Sequence, residues 1–177
     1  MAKVFKHGKM MSDVVDAALT NAVFGTAVDD GSLVVLGNLA ADSAYTGKVE
    51  YDTYEGAAPA AATDEVVIVD YAGISEGEIA GNVYKEGIKL VGLTVPVGRI
   101  MRVRRLALHD KFWLGADNFA STPTVGEYAK ATAAAFTHTP ASSLPASGYA
   151  VKVLVENDLN QGMKINGKIY LCEVVQL

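Results

Sequence analysis

What this chain lacks narrows the field first. Its single cysteine, Cys172, leaves no intrachain disulfide to form. HExxH and paired-cysteine spacings are absent, and its histidines, His7, His109 and His138, stand far apart with no second ligand at metal spacing. No GxGxxG or GxxxxGK[ST] run is present to cradle a phosphate. No stretch approaches the roughly 18 apolar residues of a membrane-spanning helix, and Met1 to Asp13 has no continuous apolar region of the signal-peptide kind. The expectation is a protein made and soluble in a cytoplasm, without cofactor, metal or membrane partner. Basic residues are also in the minority. A net charge of −5 and a pI near 5.1 weigh against nucleic acid as the partner, because phosphate binding needs local Lys/Arg excess.

What is present is a globular β pattern. Half of the 177 residues are hydrophobic, enough for one domain with a proper core. Short apolar runs separated by turn residues predict an all-β fold, a compact antiparallel barrel or sandwich. The stretch Ile88–Lys130 carries the densest pattern and is expected to be the organising core. Within it, a strand over 88–95 stops at Pro96, and Val97-Gly98 turns the chain. Ile100–His109 shifts its apolar phase, which predicts a β-bulge at Arg104-Arg105. Phe112–Leu114 begins another strand, with the only Trp, Trp113, inside this meander.

Elsewhere, Asp30-Gly31 reads as a hairpin turn between 26–28 and 33–36, and Glu65–Tyr71 and Tyr149–Glu156 read as strands. Residues 56–63 read as a loop tip and 131–148 as a long surface excursion. Asn166-Gly167 predicts a tight hairpin between 163–165 and 168–175. Residues 1–30 form an N-terminal arm preceding a single β domain over 31–177. Apolar residues from Met10 to Val23 fall at helical spacing, which predicts a helix over 12–24, and an extended arm is the competing reading.

Two groups carry candidate chemistry. His109-Asp110 could form an oriented imidazole, or Asp110 could simply bond backbone amides of a turn, the favoured reading. Arg99, Arg102, Arg104 and Arg105 form the strongest charge cluster, read as a solvated strand face or a subunit interface. Asp64, Glu65, Glu76 and Glu78 are its candidate acidic partners. No enzymatic activity is expected; a cleft joining His109, Asp110 and a third polar group would reverse that.

The runs LVVLGNL, VPVGRIMRVRRLALHDKFWLGADNF and VGEYAKA, with a free arm and Ala/Gly/Thr/Val-rich loops, resemble the decoration or cement proteins of tailed-bacteriophage heads. The resemblance covers about Gly31 to Lys130 and implies a virion protein on the outside of the capsid, bound to the major capsid protein lattice. It also implies a homo-oligomer, often a trimer, that attaches through an N-terminal arm and one rim of the β domain. Lys3, Lys6 and Lys9 would pair with an acidic shell, and Met10, Met11, Val14, Val15, Leu19, Val23 and Phe24 would be apolar anchors. Removing residues 1–24 should then abolish lattice binding without unfolding the domain. The chain is longer than the smallest cement proteins, which leaves a tail, baseplate or head-fibre module, binding another virion protein or a host-surface glycan, as the alternative. In that alternative, exposed aromatics such as Tyr51, Tyr54 or Trp113 would line the binding rim.

Overall fold

In a computed structural model, the described residues are 5–11, 18–40, 53–70, 94–95, 97–158 and 167–177. They build a mainly β structure of two packed sheets, as the turn-punctuated apolar runs predict. A closed five-stranded barrel joins β2 (Leu19–Phe24), β4 (Leu33–Leu39), β5 (Thr53–Ala57), β6 (Val67–Asp70) and β8 (Met101–Arg105), in the order β2-β5-β4-β6-β8. A six-stranded sheet joins β1 (Phe5–Lys9), β9 (Lys111–Gly115), β10 (Tyr128–Lys130), β11 (Thr139–Ala141), β12 (Ala150–Asp158) and β13 (Lys168–Gln176). Its order is β1-β9-β13-β12-β10-β11. The small pair β3 (Val28–Asp29) and β7 (Thr94–Val95) completes the described strands.

The sequence of β6 explains how the two sheets share one core. Val67 and Val69 point into the barrel with Ala22, Phe24, Val34, Met101 and Val103. Val66 and Ile68 point the other way, toward Phe112, Leu114, Tyr170, Cys172 and Val174 of the six-stranded sheet. Side chains alternate faces along a strand, so an unbroken Val-Val-Ile-Val run is stable only where both faces are covered. All four residues are at most 4% exposed. Burying each such side chain contributes about 1.5–3 kcal/mol, so this short strand is a major part of the core.

The barrel closes through its one parallel pairing among the described strands, β2 with β5. There Phe24 lies opposite Gly56, and its ring occupies the space that a side chain at Gly56 would need. Glycine is the residue that admits this approach.

Several expectations are corrected. The helix over 12–24 is not formed at Leu19–Phe24, which is a barrel strand paired on both sides, while 12–17 lie outside the described residues. Its apolar residues suit a strand equally well, and pairing with β5 and β8 decides the matter. Nor are residues 5–11 and 19–30 a separate arm: β1 pairs with β9 through Phe5↔Leu114, and Met10, Val23 and Phe24 are buried. No bulge occurs at Arg104-Arg105. β8 keeps an unshifted register against β6 and stops at Arg105, so Leu106 and Leu108 belong to the following turn.

Asp30-Gly31 is a turn, but β3 pairs with β7 rather than with β4. Among the described residues β13 takes β12 and β9 as its neighbours, and residues 163–165 of the expected hairpin lie outside the described residues. Trp113 lies half-buried on the outer face of its sheet, between the inward Phe112 and Leu114. The centre of the molecule is therefore β6 and the turn before β4, against which the 88–130 stretch packs Met101, Val103, Phe112 and Leu114, while 88–93 and 96 fall outside the described residues.

With β1 and β2 built into both sheets, a chain lacking residues 1–24 loses an edge of one sheet and a wall of the barrel. It should show no cooperative urea transition by circular dichroism, whereas a detachable arm would leave the transition intact.

Candidate functional site

The most elaborate side-chain arrangement is buried at the turn Asp29–Ser32, where four segments converge. Gly31 has φ +76°, open to glycine at little cost, and a Cβ there would lie 2.7 Å from Asn118 Nδ2. Asn118 closes a single 3-10 turn, Ala116–Asn118, after β9. Its Nδ2 donates to Asp30 O at 2.6 Å, and its Oδ1 accepts from Gly115 N–H at 3.1 Å. Asp30 Oδ2 accepts from Phe5 N–H at 2.9 Å, which ties β1 to the same turn. The β6 strand exchanges two backbone bonds with it, Gly31 N–H to Val69 O and Val69 N–H to Ser32 O, both 2.9 Å.

The fourth segment brings His138. The 131–148 excursion was expected on the surface, yet His138 is fully buried. Its Nε2 lies 3.2 Å from Gly31 O and so donates, leaving Nδ1 to accept from Tyr149 OH, also at 3.2 Å. Phe119 and Tyr149 flank the ring. Burial lowers the His138 pKa from 6.5 to about 4, opposed only by the bond to Gly31. Burial likewise raises Tyr149 well above 10 and pushes the Cys172 thiol far up, so that sulfur is protonated and inert. The sequence held no pattern for this site, because its members are brought together by turns rather than by spacing.

The surface candidates are placed as follows. Asp110 holds two backbone amides, Met11 N–H on Oδ1 at 2.7 Å and Ala107 N–H on Oδ2 at 2.8 Å, so the turn reading of this carboxylate holds. His109, at φ +70°, is exposed and its Nδ1 lies 3.0 Å from Glu173 Oε1. The imidazole thus faces Glu173, not Asp110.

The arginine cluster is divided. Arg104 is buried with its Nε donating to Asp70 Oδ2 at 2.6 Å, and Arg102 Nε lies 3.1 Å from the same oxygen without hydrogen-bond alignment. Arg105 pairs with Glu65 at 3.0 Å in the open, and Arg99 is exposed beside the β7–β8 turn. A subunit-interface role is corrected for Arg104, which is 4% exposed and cannot reach a neighbour. Asp64 instead caps the loop amides of Ala60 and Ala61, and Glu76 and Glu78 lie outside the described residues.

Of the candidate capsid-contact residues, Met10, Val23 and Phe24 are core, Leu19 is half-buried, and only Lys9 and Met11 are described as exposed. Lys6 falls within β1, and Lys3, Val14 and Val15 lie outside the described residues, as does Tyr51. A nucleophile-elbow spacing, Gly73-Ile74-Ser75-Glu76-Gly77, was missed in the sequence; it too lies outside the described residues. Among the described residues no group of His, Cys, Asp and Glu could hold a metal, and no helix is long and apolar enough to cross a membrane.

No protein-family model, curated protein or solved structure matches this chain.

Two outcomes follow from these contacts. Neutralising Asp70 takes the facing carboxylate charge away from a buried guanidinium, so Asp70→Asn should destabilise by about 3 kcal/mol. Glu65→Gln, at the exposed pair, should change stability by less than about 0.5 kcal/mol. Urea titration of both variants checks the contrast.

His138 is neutral when folded and binds a proton more readily when unfolded, so its contribution is complete above pH 6.5 and declines as pH falls from 6.5 to about 4. The loss amounts to roughly 3 kcal/mol across that window. As pH falls from 6.5 to about 4, the unfolding free energy should drop in wild type and change less in His138→Gln, as urea titration across that range checks.

Proposed function

We propose that this protein is a non-enzymatic virion module of the capsid-decoration kind, which binds the outside of a major capsid protein lattice through a rim of its rigid β body. The reading rests on the resemblance over Gly31 to Lys130 together with one observation at the end of the six-stranded sheet. Met11 and Leu108 are 52% and 55% exposed, although both are large and apolar, and their segments are fastened to a single buried carboxylate, Asp110. Exposed Lys9 and His109 lie beside them in the chain. An apolar pair on a fixed backbone and flanked by cationic or protonatable groups suits an acidic, repeating partner surface. Because this rim is already ordered, little conformational entropy opposes its docking, unlike an arm that must order on contact. Multiple copies on a lattice would multiply a modest contact.

The perturbed interior groups support binding over turnover. His138, Tyr149 and Cys172 are fully buried and enclosed by the fold, where no substrate reaches them. The tail or fibre alternative draws on Trp113, half-buried on an outward sheet face where a sugar ring could stack.

A cryo-EM reconstruction of the native particle tests the proposal. Density of this size at repeated junctions outside the head is expected, with the rim of Met11 and Leu108 against the shell. Met11→Glu and Leu108→Glu should then reduce co-sedimentation with heads while leaving the melting temperature unchanged. Density confined to the tail would transfer the assignment to the alternative, and absence from the particle would overturn both.

A further inference from the structure

We infer that the outer face of the six-stranded sheet is a self-complementary surface that pairs with a second copy of this chain about a two-fold axis running along the strands between β13 and β12. This goes beyond the capsid reading and stands without it. The inward face of the sheet carries Phe112, Leu114, Val151, Val153, Tyr170 and Cys172. Their sequence neighbours therefore face outward, and the strand register sorts them into cross-strand rows.

One row spans all six strands. Lys9 lies opposite Lys111, Lys111 opposite Glu173, Glu173 opposite Lys152, Lys152 opposite Tyr128, and Tyr128 opposite Ala141. Adjacent strands are about 4.8 Å apart, so these positions are evenly spaced. A two-fold axis between the strands of Glu173 and Lys152 exchanges those two positions. Each Glu173 then faces Lys152 of the second copy, and each Lys111 faces Tyr128 of the second copy, a cation over an aromatic ring. The same rotation leaves Lys9 opposite the small Ala141, with no like charges in apposition along the row.

The neighbouring row behaves in the same way. Trp113 lies opposite Leu171, and the register shift between Val153 and Val155 places Val155, rather than Leu154, opposite Leu171 on the outer face. The rotation packs Leu171 on Val155 of the second copy. It carries Trp113 to the strand position beyond Val155, where Gly126 N–H bonds to Val153 O and the adjacent Val125 is 48% exposed. Val155, 45% exposed, and Val125 would both be covered. Charge pairing in one row and apolar packing in the next thus follow from a single axis, as an isologous interface requires. Lys152 makes no ion pair among the described residues, although Glu173 lies directly opposite on the next strand. Glu173 is held instead by His109 and Lys111 on its other side. Two sheets facing each other at about 10 Å make the ordinary sandwich arrangement, here formed between chains.

Charge exchange tests this. Sedimentation velocity of the wild type at low salt should show a concentration-dependent dimer, with Trp113 emission shifting to the blue as it forms. Lys152→Glu and Glu173→Lys, each alone, place like charges opposite one another twice and should weaken dimerisation about tenfold or more. An equimolar mixture of the two variants restores both pairs in one heterodimer and should recover the affinity. Circular dichroism and melting of each variant establish that the monomers are folded. A chain that stays monomeric at every soluble concentration, forms a trimer, or forms a dimer indifferent to both substitutions overturns the inference, as does a mixture that fails to associate.

Discussion

The structure depends on a buried polar junction. Two sheets with separate strand orders could slide over one another if only apolar side chains lay between them, because hydrophobic contact is non-directional. At Asp29–Ser32 the contact becomes directional. Asn118 and His138 each bond a carbonyl of this turn, Phe5 N–H reaches the Asp30 carboxylate, and β6 bonds the turn along its edge. Each of these groups would be costly to bury alone, by roughly 1–3 kcal/mol. Together they fix which part of the barrel meets which part of the sheet. Gly31 is the geometric condition for the junction, since any side chain there would meet Asn118.

That rigidity shapes the functional proposals. Residues 5–9 are built into the six-stranded sheet and 19–24 into the barrel, so both proposals draw on surfaces that are already ordered: the rim at Met11 and Leu108 and the outer face bearing Trp113. These surfaces differ in orientation and chemistry. One is an end of the sheet with exposed apolar tips, and the other is a face with rows of alternating character. A module placed between a shell and a neighbouring copy would need two such separate surfaces.

The fold class was legible because period-2 patterning and turn residues survive in any context. Strands such as Val67–Asp70, Lys111–Gly115 and Ala150–Asp158 were found close to their true limits. Leu19–Phe24 was ambiguous for a physical reason: its apolar residues satisfy both helical and strand spacing, and only the parallel partner β5 resolves it. The phase change after Arg104 resembled a bulge because sequence does not reveal where a strand stops. His138 was invisible in the alanine- and serine-rich excursion, since its burial arises from Gly31 and Tyr149, which are distant or unremarkable in sequence. The arginine run was read by its charge, whereas Asp70, one residue beyond an apolar strand core, determined where Arg104 went.

The order of strands also has a consequence for how the chain acquires its shape. β1 has its partner in β9, β9 is completed by β13, and β2 joins β8 across some eighty residues of chain, from Leu19 to Arg104. Almost none of these pairings is local, so loop-closure entropy must be met before any of them is rewarded, a topology that folds slowly. During synthesis the first strand remains without its finished sheet until residues 168–176 have emerged. Folding is thereby deferred until β13 is available, and the apolar strands pass through a period in which assembly with other chains competes with closure.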